Sequence, residues 1–325
     1  MTTKVNEGKT LSREMMIPKH NENLIITDSV AGVMSAIEKL QAMKKPTLLV
    51  GHAGVGKNQN ISEVANKLGK PVIKINCSGD MRTSSLLGRM APNEDGKFVW
   101  EDGLIIKAIR EGYWLILDEI NCLDADILFC LHGLIDDGFI TLANNSEVVE
   151  AHPEFRMFAT MNPISYFGVK TLNQALADRF AIIEIGFDKE IDKALVKQLN
   201  CSKEVQQSLL TLINNIRMEY EKGEISQNFG HRTLSNVVEL CQAFDLMDAL
   251  NMAYTNKLPD TQRPSVRTLF KDLATMVSEQ KPVQKSIKGK ASAPAPAPTG
   301  GQVVNGVDVD ALVGILSDGQ KNVRP

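Results

Sequence analysis

The chain has 325 residues, 36 basic against 39 acidic, with a formal charge of −3 at pH 7 and 43% hydrophobic residues. That apolar share lies well outside the low-hydropathy, high-charge regime of disordered chains, and at roughly 150 residues per domain the length suggests about two domains. The near-neutral balance gives no global basic field for nucleic acid, and no apolar run reaches the roughly 18 residues of a spanning helix.

Residues 1–28 are an N-terminal extension. Its first 23 residues mix Lys, Glu, Asn and His and lack the apolar core of a secretory signal, so a soluble cytoplasmic protein without membrane contact is expected. Five cysteines (Cys77, Cys122, Cys130, Cys201 and Cys241) fall in no CxxC or metal-type His spacing and read as reduced, buried thiols.

Over 29–188, strand-length apolar runs alternate with longer amphipathic stretches. The runs are Thr47-Leu48-Leu49-Val50, Val72-Ile73-Lys74-Ile75, Tyr113-Trp114-Leu115-Ile116-Leu117, Phe155-Arg156-Met157-Phe158-Ala159 and Ala181-Ile182-Ile183-Glu184-Ile185. The alternation predicts an α/β domain around a parallel sheet, with strands covered on both faces. Over 189–280 the strand signals stop. Leu195, Leu199, Leu209, Leu212, Ile213 and Ile216, then Leu234, Val237 and Val238, recur at helical spacing and predict a small all-α domain. Residues 281–306 are a Lys-, Pro- and Ala-rich linker with no means of forming a core. The segment 307–325 opens with a short amphipathic stretch that reads either as a docking peptide or as a frayed tail.

The first run leads into Gly51-His52-Ala53-Gly54-Val55-Gly56-Lys57-Asn58-Gln59, and helical spacing resumes at Ile61. Strand, glycine-rich loop and helix are the context of a phosphate-binding P-loop, in which backbone N–H groups and the helix N-terminus face phosphate oxygens. Gly51, Ala53, Gly54, Val55, Gly56, Lys57, Asn58 and Gln59 are therefore the candidate nucleotide contacts, with Lys57 reaching the β- and γ-phosphates. The position that normally carries Ser or Thr for Mg²⁺ carries Asn58, whose amide oxygen is a different but hard donor.

The run ending at Leu117 delivers Asp118-Glu119-Ile120-Asn121 at a strand's C-terminal edge, where open α/β sheets bind ligands. Asp118 suits the Mg²⁺ shell and Glu119 suits polarisation of an attacking water. Asn162, just past the Phe155-to-Ala159 run, supplies a polar amide at a neighbouring strand tip. Arg179 and Arg232 read, on their own, as solvated cations at helix ends.

In this order the parts resemble AAA+ ATPases, and among them the MoxR/CbbQ group of dynein-related type. The matching parts are the loop from Gly51 to Lys57, the Leu115-to-Asn121 segment with its Asp-Glu-Ile-Asn, and the polar Asn162. The Leu-Asn-Gln-Ala-Leu-Ala-Asp-Arg-Phe box of 172–180 and the His231-Arg232 pair complete the set. The resemblance implies ATP and Mg²⁺ as cofactors and a P-loop sheet followed by a helical lid. It also implies a homo-oligomeric ring, usually hexameric, in which Arg179 acts in trans and Arg232 sits at the lid's sensor position. Hairpin inserts are expected over 89–100, turning at Asn93-Glu94-Asp95-Gly96, and over 140–149, turning at Asn144-Asn145. Trp100 and Phe98 are candidates either for contact with a client or for the core.

The implied activity is ATP hydrolysis coupled to remodelling of a partner protein, a client or a von Willebrand factor A domain protein. Asn58 keeps open an ATP-binding switch with little hydrolysis. The lysines of the tail are the only support for a third reading, a nucleic-acid-linked motor.

Overall fold

A computed structural model describes residues 13–142, 146–163 and 172–279. Its elements run α1 Asp28–Ala42, β1 Thr47–Gly51, α2 Lys57–Lys67, β2 Val72–Asn76, α3 Thr83–Leu86, β3 Gly88–Pro92, β4 Phe98–Asp102, α4 Leu104–Glu111, β5 Trp114–Asp118, α5 Ala125–Asp137, β6 Phe139–Leu142, β7 Glu147–Glu150, β8 Arg156–Met161, α6 Gln174–Ala177 and β9 Ala181–Ile185. After these come α7 Lys189–Val196, α8 Lys203–Glu221, α9 His231–Leu240, α10 Leu246–Ala253, α11 Arg263–Leu269 and α12 Lys271–Glu279.

The expected α/β fold is present. Five parallel strands form one sheet in the order β2-β5-β8-β1-β9. Side chains alternate across it. Trp114 and Ile116 of β5 join Leu49 and Phe158 beneath Ile37 of α1 and Ile61 and Val64 of α2. Leu115 and Leu117 join Leu48, Met157 and Ala159 on the other face, under α4 and α5. Both faces are covered, which is why these strands read as continuous apolar runs.

β8 extends two residues past the run that announces it, because Thr160 and Met161 pair in register with Leu49 and Val50 of β1. Tyr113 and Phe155, at the starts of their runs, precede the strands. The sheet's order reverses beside β1, so the ends of β1, β8 and β5 open onto one crevice, the usual ligand position in such sheets.

Two antiparallel hairpins interrupt the α/β alternation, β3 with β4 and β6 with β7. In the first, Asn93 caps the turn by accepting from the N–H groups of Asp95 and Lys97. Asn144 and Asn145, expected to turn the second, lie outside the described residues. The two aromatics of the first hairpin part company: Trp100 packs partly on the core, whereas Phe98 is 68% exposed.

The helices from α7 to α12 enclose their own core of Leu195, Leu209, Ile213, Ile216, Phe229, Leu234 and neighbours. A buried ion pair crosses it: Arg217 donates to both Asp192 oxygens, at 2.6 and 2.9 Å. The linker and terminal segment proposed for 281–325 lie outside the described residues. Among the described residues no helix is long and apolar enough to cross a membrane.

Candidate active site

The site grows from the end of β1. Gly51 must be glycine, since a Cβ there would stand 2.4 Å from the Ile185 carbonyl oxygen of the adjoining β9. Gly54 and Gly56 take φ of +80° and +95°, backbone that favours glycine, and turn the chain into α2. Lys57, at the first turn of α2, is buried, and its ammonium donates to the carbonyls of Gly51 (2.6 Å) and His52 (3.1 Å) and to Asn162 Oδ1 (2.9 Å). Burial pulls the Lys57 pKa down, the carboxylates of Glu119 and Asp118 oppose that, and Arg232 adds to the lowering.

Two strands away, β5 presents its acids. Asp118 Oδ1 accepts from Thr160 Oγ1 at 2.5 Å, and Oδ2 lies 3.1 Å from the Lys74 ammonium on β2. Burial raises the Asp118 pKa, but hydrogen bonds from Thr160, Asn58 and Lys74 outweigh it, and the net direction is down. Glu119 follows at φ +60°, a conformation uncommon for a non-glycine residue and a form of backbone strain concentrated at functional positions. Its Oε1 accepts from Asn162 Nδ2 at 2.8 Å. Asn162 thus spans the lysine and the glutamate with opposite ends of one amide.

Asn58 sits beside these groups. Its side chain hydrogen-bonds Asp118, while its Oδ1 is buried without a partner. A buried carbonyl oxygen left unpaired is costly, and a hard cation would satisfy it. With Asp118, this oxygen forms a donor set of the kind Mg²⁺ uses when substrate phosphates supply the remaining ligands. The residues present therefore fit the ion.

The helical region closes the other side. A cleft of about 720 Å³ runs between the P-loop and α9 and takes in Asp118, Glu119, Asn162 and Arg232. Contact there is tight: a Cβ on Gly230 would stand 2.7 Å from the Ala53 carbonyl oxygen, and one on Gly54 would stand 3.1 Å from Arg232 Cβ. A ladder of rings also joins loop to lid. His52 stacks on Phe187 at 5.1 Å, His231 meets Phe187 edge-on at 5.7 Å, and the Arg217 guanidinium lies 4.0 Å from the Phe187 centroid.

Of the residues picked from sequence, the structure brings Gly51 to Gln59, Asp118, Glu119, Asn162 and Arg232 together, with the Gln59 amide turned toward Glu63 at 3.2 Å. Arg179 is elsewhere. It grips Asp136 of α5 through Nε and Nη2 at 2.6 to 2.8 Å, outside its own chain's cleft.

Three contributions were not read from the sequence. One is the extension: Asn21, Asn23, Leu24 and Ile25 line the cleft, anchored where Asn21 N–H donates to the buried Glu63 at 2.7 Å and His20 Nδ1 lies 2.8 Å from it. A buried acid in the helix that follows a P-loop was the available signal. The others are Thr160 and Lys74, which hold Asp118. Cys77, beside the site, has its thiol pushed up to about 12, chiefly by burial, so it is an inert thiol here.

The sequence profile of the AAA domain, dynein-related subfamily, matches residues 46–180. An uncharacterized protein of Staphylococcus saprophyticus is 31% identical over 249 residues, 74% of this chain and 94% of that one. The chain belongs to the dynein-related AAA family. Midasin of Dictyostelium discoideum is 30% identical over 208 residues, which are 62% of this chain but 4% of midasin. Among solved structures, NtrX from Brucella abortus superposes with a TM-score of 0.51 at 15% identity, covering 78% of this chain and 62% of that one, a likeness of fold. The AAA domain accounts for the P-loop sheet and for a nucleotide as its ligand. Its matched span ends at Phe180, so the lid and the extension that complete the cleft lie outside it.

Proposed function

We propose that this AAA protein, of MoxR/CbbQ type, hydrolyses ATP within a ring of its own copies and uses the cycle to remodel or activate a partner protein. The observation that carries the reading is the linkage Lys57–Asn162–Glu119 beside Asp118, facing one cleft, while Arg179 lies outside it.

In this reading the N–H groups of 54–58 and the Lys57 ammonium bind the phosphates. Asp118 and Asn58 Oδ1 would hold Mg²⁺, which when bound would neutralise phosphate charge. Glu119 orients the attacking water and draws on its proton, its carboxylate fixed by the Asn162 amide. Arg232 reaches the phosphates from the lid, so nucleotide contact is shared by both halves of the cleft. Arg179 completes the site of a neighbouring subunit, adding positive charge where it develops on the transferred phosphoryl group. Hydrolysis is then coupled to subunit contact. The exposed Phe98 and Val99 of the first hairpin are apolar contacts for a protein client or a von Willebrand factor A domain partner.

Subunit mixing tests the trans arrangement. Glu119→Gln and Arg179→Ala proteins, each inactive alone, are expected to regain turnover when mixed, because some interfaces then pair an intact Glu119 with an intact Arg179. A mixture as inactive as its components would overturn it.

A further inference from the structure

Both carboxylate oxygens of Asp118 are engaged. Thr160 takes Oδ1, Lys74 lies at Oδ2, and the Asn58 amide bonds the same carboxylate. Lys74 is the unexpected member, because it comes from β2, at the sheet's edge, rather than from the P-loop. Its position in the strand puts it two residues before Asn76, whose Cα pairs with that of Asp118 across the β2–β5 ladder. The lysine side chain runs forward along the strand to reach the acid.

We infer that Lys74 is a tethered counter-ion to Asp118, which lets the cleft bind ATP without a divalent metal and which the metal must displace on entering. The inference rests on the nucleotide-site reading given above. Three observations support it.

The first is position. Mg²⁺ binds carboxylate oxygen at about 2.0–2.1 Å, and an ammonium 3.1 Å from that oxygen competes for the same space and the same charge. The second is mobility. Lys74 is 41% exposed, and a lysine ends in a compact charge on a flexible stem, so it can swing into solvent at little cost. The third is charge. The cleft is lined by three cations, Lys57, Lys74 and Arg232, against two carboxylates, Asp118 and Glu119. A polyphosphate thus meets a net positive cleft before any metal arrives. Asn58 fits the same arrangement: its amide N–H₂ helps Lys74 satisfy Asp118, while its Oδ1 waits for the metal.

The test measures binding apart from turnover. Calorimetric titration with a non-hydrolysable ATP analogue compares EDTA with Mg²⁺ for the wild type, Lys74→Met and Lys74→Arg. Electron paramagnetic resonance of Mn²⁺ then gives the metal's affinity for each analogue-loaded protein. Met keeps the apolar stem, and thermal melts establish that each variant is folded.

The wild type is expected to bind the analogue in EDTA within roughly fivefold of its affinity in Mg²⁺, about the scale of one partly exposed ion pair. Lys74→Met is expected to lose affinity in EDTA by roughly that factor or more and to bind Mn²⁺ more tightly, while Lys74→Arg keeps wild-type behaviour in EDTA. Wild-type binding that collapses in EDTA, or Mn²⁺ affinity unchanged in a folded Lys74→Met protein, overturns the role of Lys74 and leaves the nucleotide site standing. Absence of binding in the wild type under both conditions overturns the nucleotide-site reading itself.

Discussion

Asp192→Ala tests what holds the lid against the P-loop. The Arg217 and Asp192 side chains are 7% and 4% exposed, and two of the guanidinium's hydrogen bonds go to that carboxylate. The third, from Nε to the Phe229 carbonyl, is 2.9 Å long. Alanine removes the two bonds to the carboxylate and strands a buried, permanently charged guanidinium, a change that costs about 3–5 kcal/mol. The exposed pair Lys193–Glu190 in the same helix contributes at most about 1 kcal/mol by comparison. Urea denaturation followed by circular dichroism measures both, read as a shift of midpoint at constant slope. Because Arg217 also lies on Phe187, which stacks on His52 of the P-loop, nucleotide affinity is expected to fall with stability. A loss below about 1 kcal/mol for Asp192→Ala would refute the reasoning, since it would mean the guanidinium finds water or another partner.

Three other outcomes follow from the geometry. Gly230→Ala places a Cβ 2.7 Å from a backbone oxygen of the P-loop, so the lid must shift; a stability loss of about 1–3 kcal/mol in the same urea assay is expected, with weaker nucleotide binding. Asn58→Thr restores the usual hydroxyl, yet turnover is expected to change by less than about tenfold, because Asn58 Oδ1 already offers the metal an oxygen; a gain of about a hundredfold in steady-state rate would favour the switch reading. His231 is held below its ordinary value of 6.5, chiefly by burial, and its neutral Nε2 accepts the Asp188 N–H at 3.1 Å. The unfolded chain therefore takes up that proton first, so this contribution to stability is complete above about pH 6.5 and falls as the pH drops toward the folded value. Melting curves of His231→Gln across that window are expected to be flatter than those of the wild type.

The legible parts of the fold were those written in local pattern. Leu115 and Leu117 on one face of β5, with Trp114 and Ile116 on the other, make a continuous apolar run, and that run announced a strand buried on both sides. The P-loop was legible because its glycines answer to backbone conformation at Gly54 and Gly56. Lys74 was not legible as a partner of Asp118: a lysine in an edge strand looks solvent-facing until the β2–β5 register is known. The same holds for the extension, since the bond from Asn21 to Glu63 spans most of the distance between two unrelated sequence patterns. The ladder from His52 through Phe187 to Arg217 is assembled from three separate elements, and no spacing encodes it.

The most direct measurement is steady-state ATP hydrolysis with Mg²⁺ by the wild type and by Glu119→Gln, with ATP binding determined for both. The account expects turnover in the wild type, a fall of about a hundredfold or more in the variant, and binding retained, since Glu119 acts on water rather than on the nucleotide. Equal turnover in the two proteins, or binding without turnover in the wild type, would contradict it.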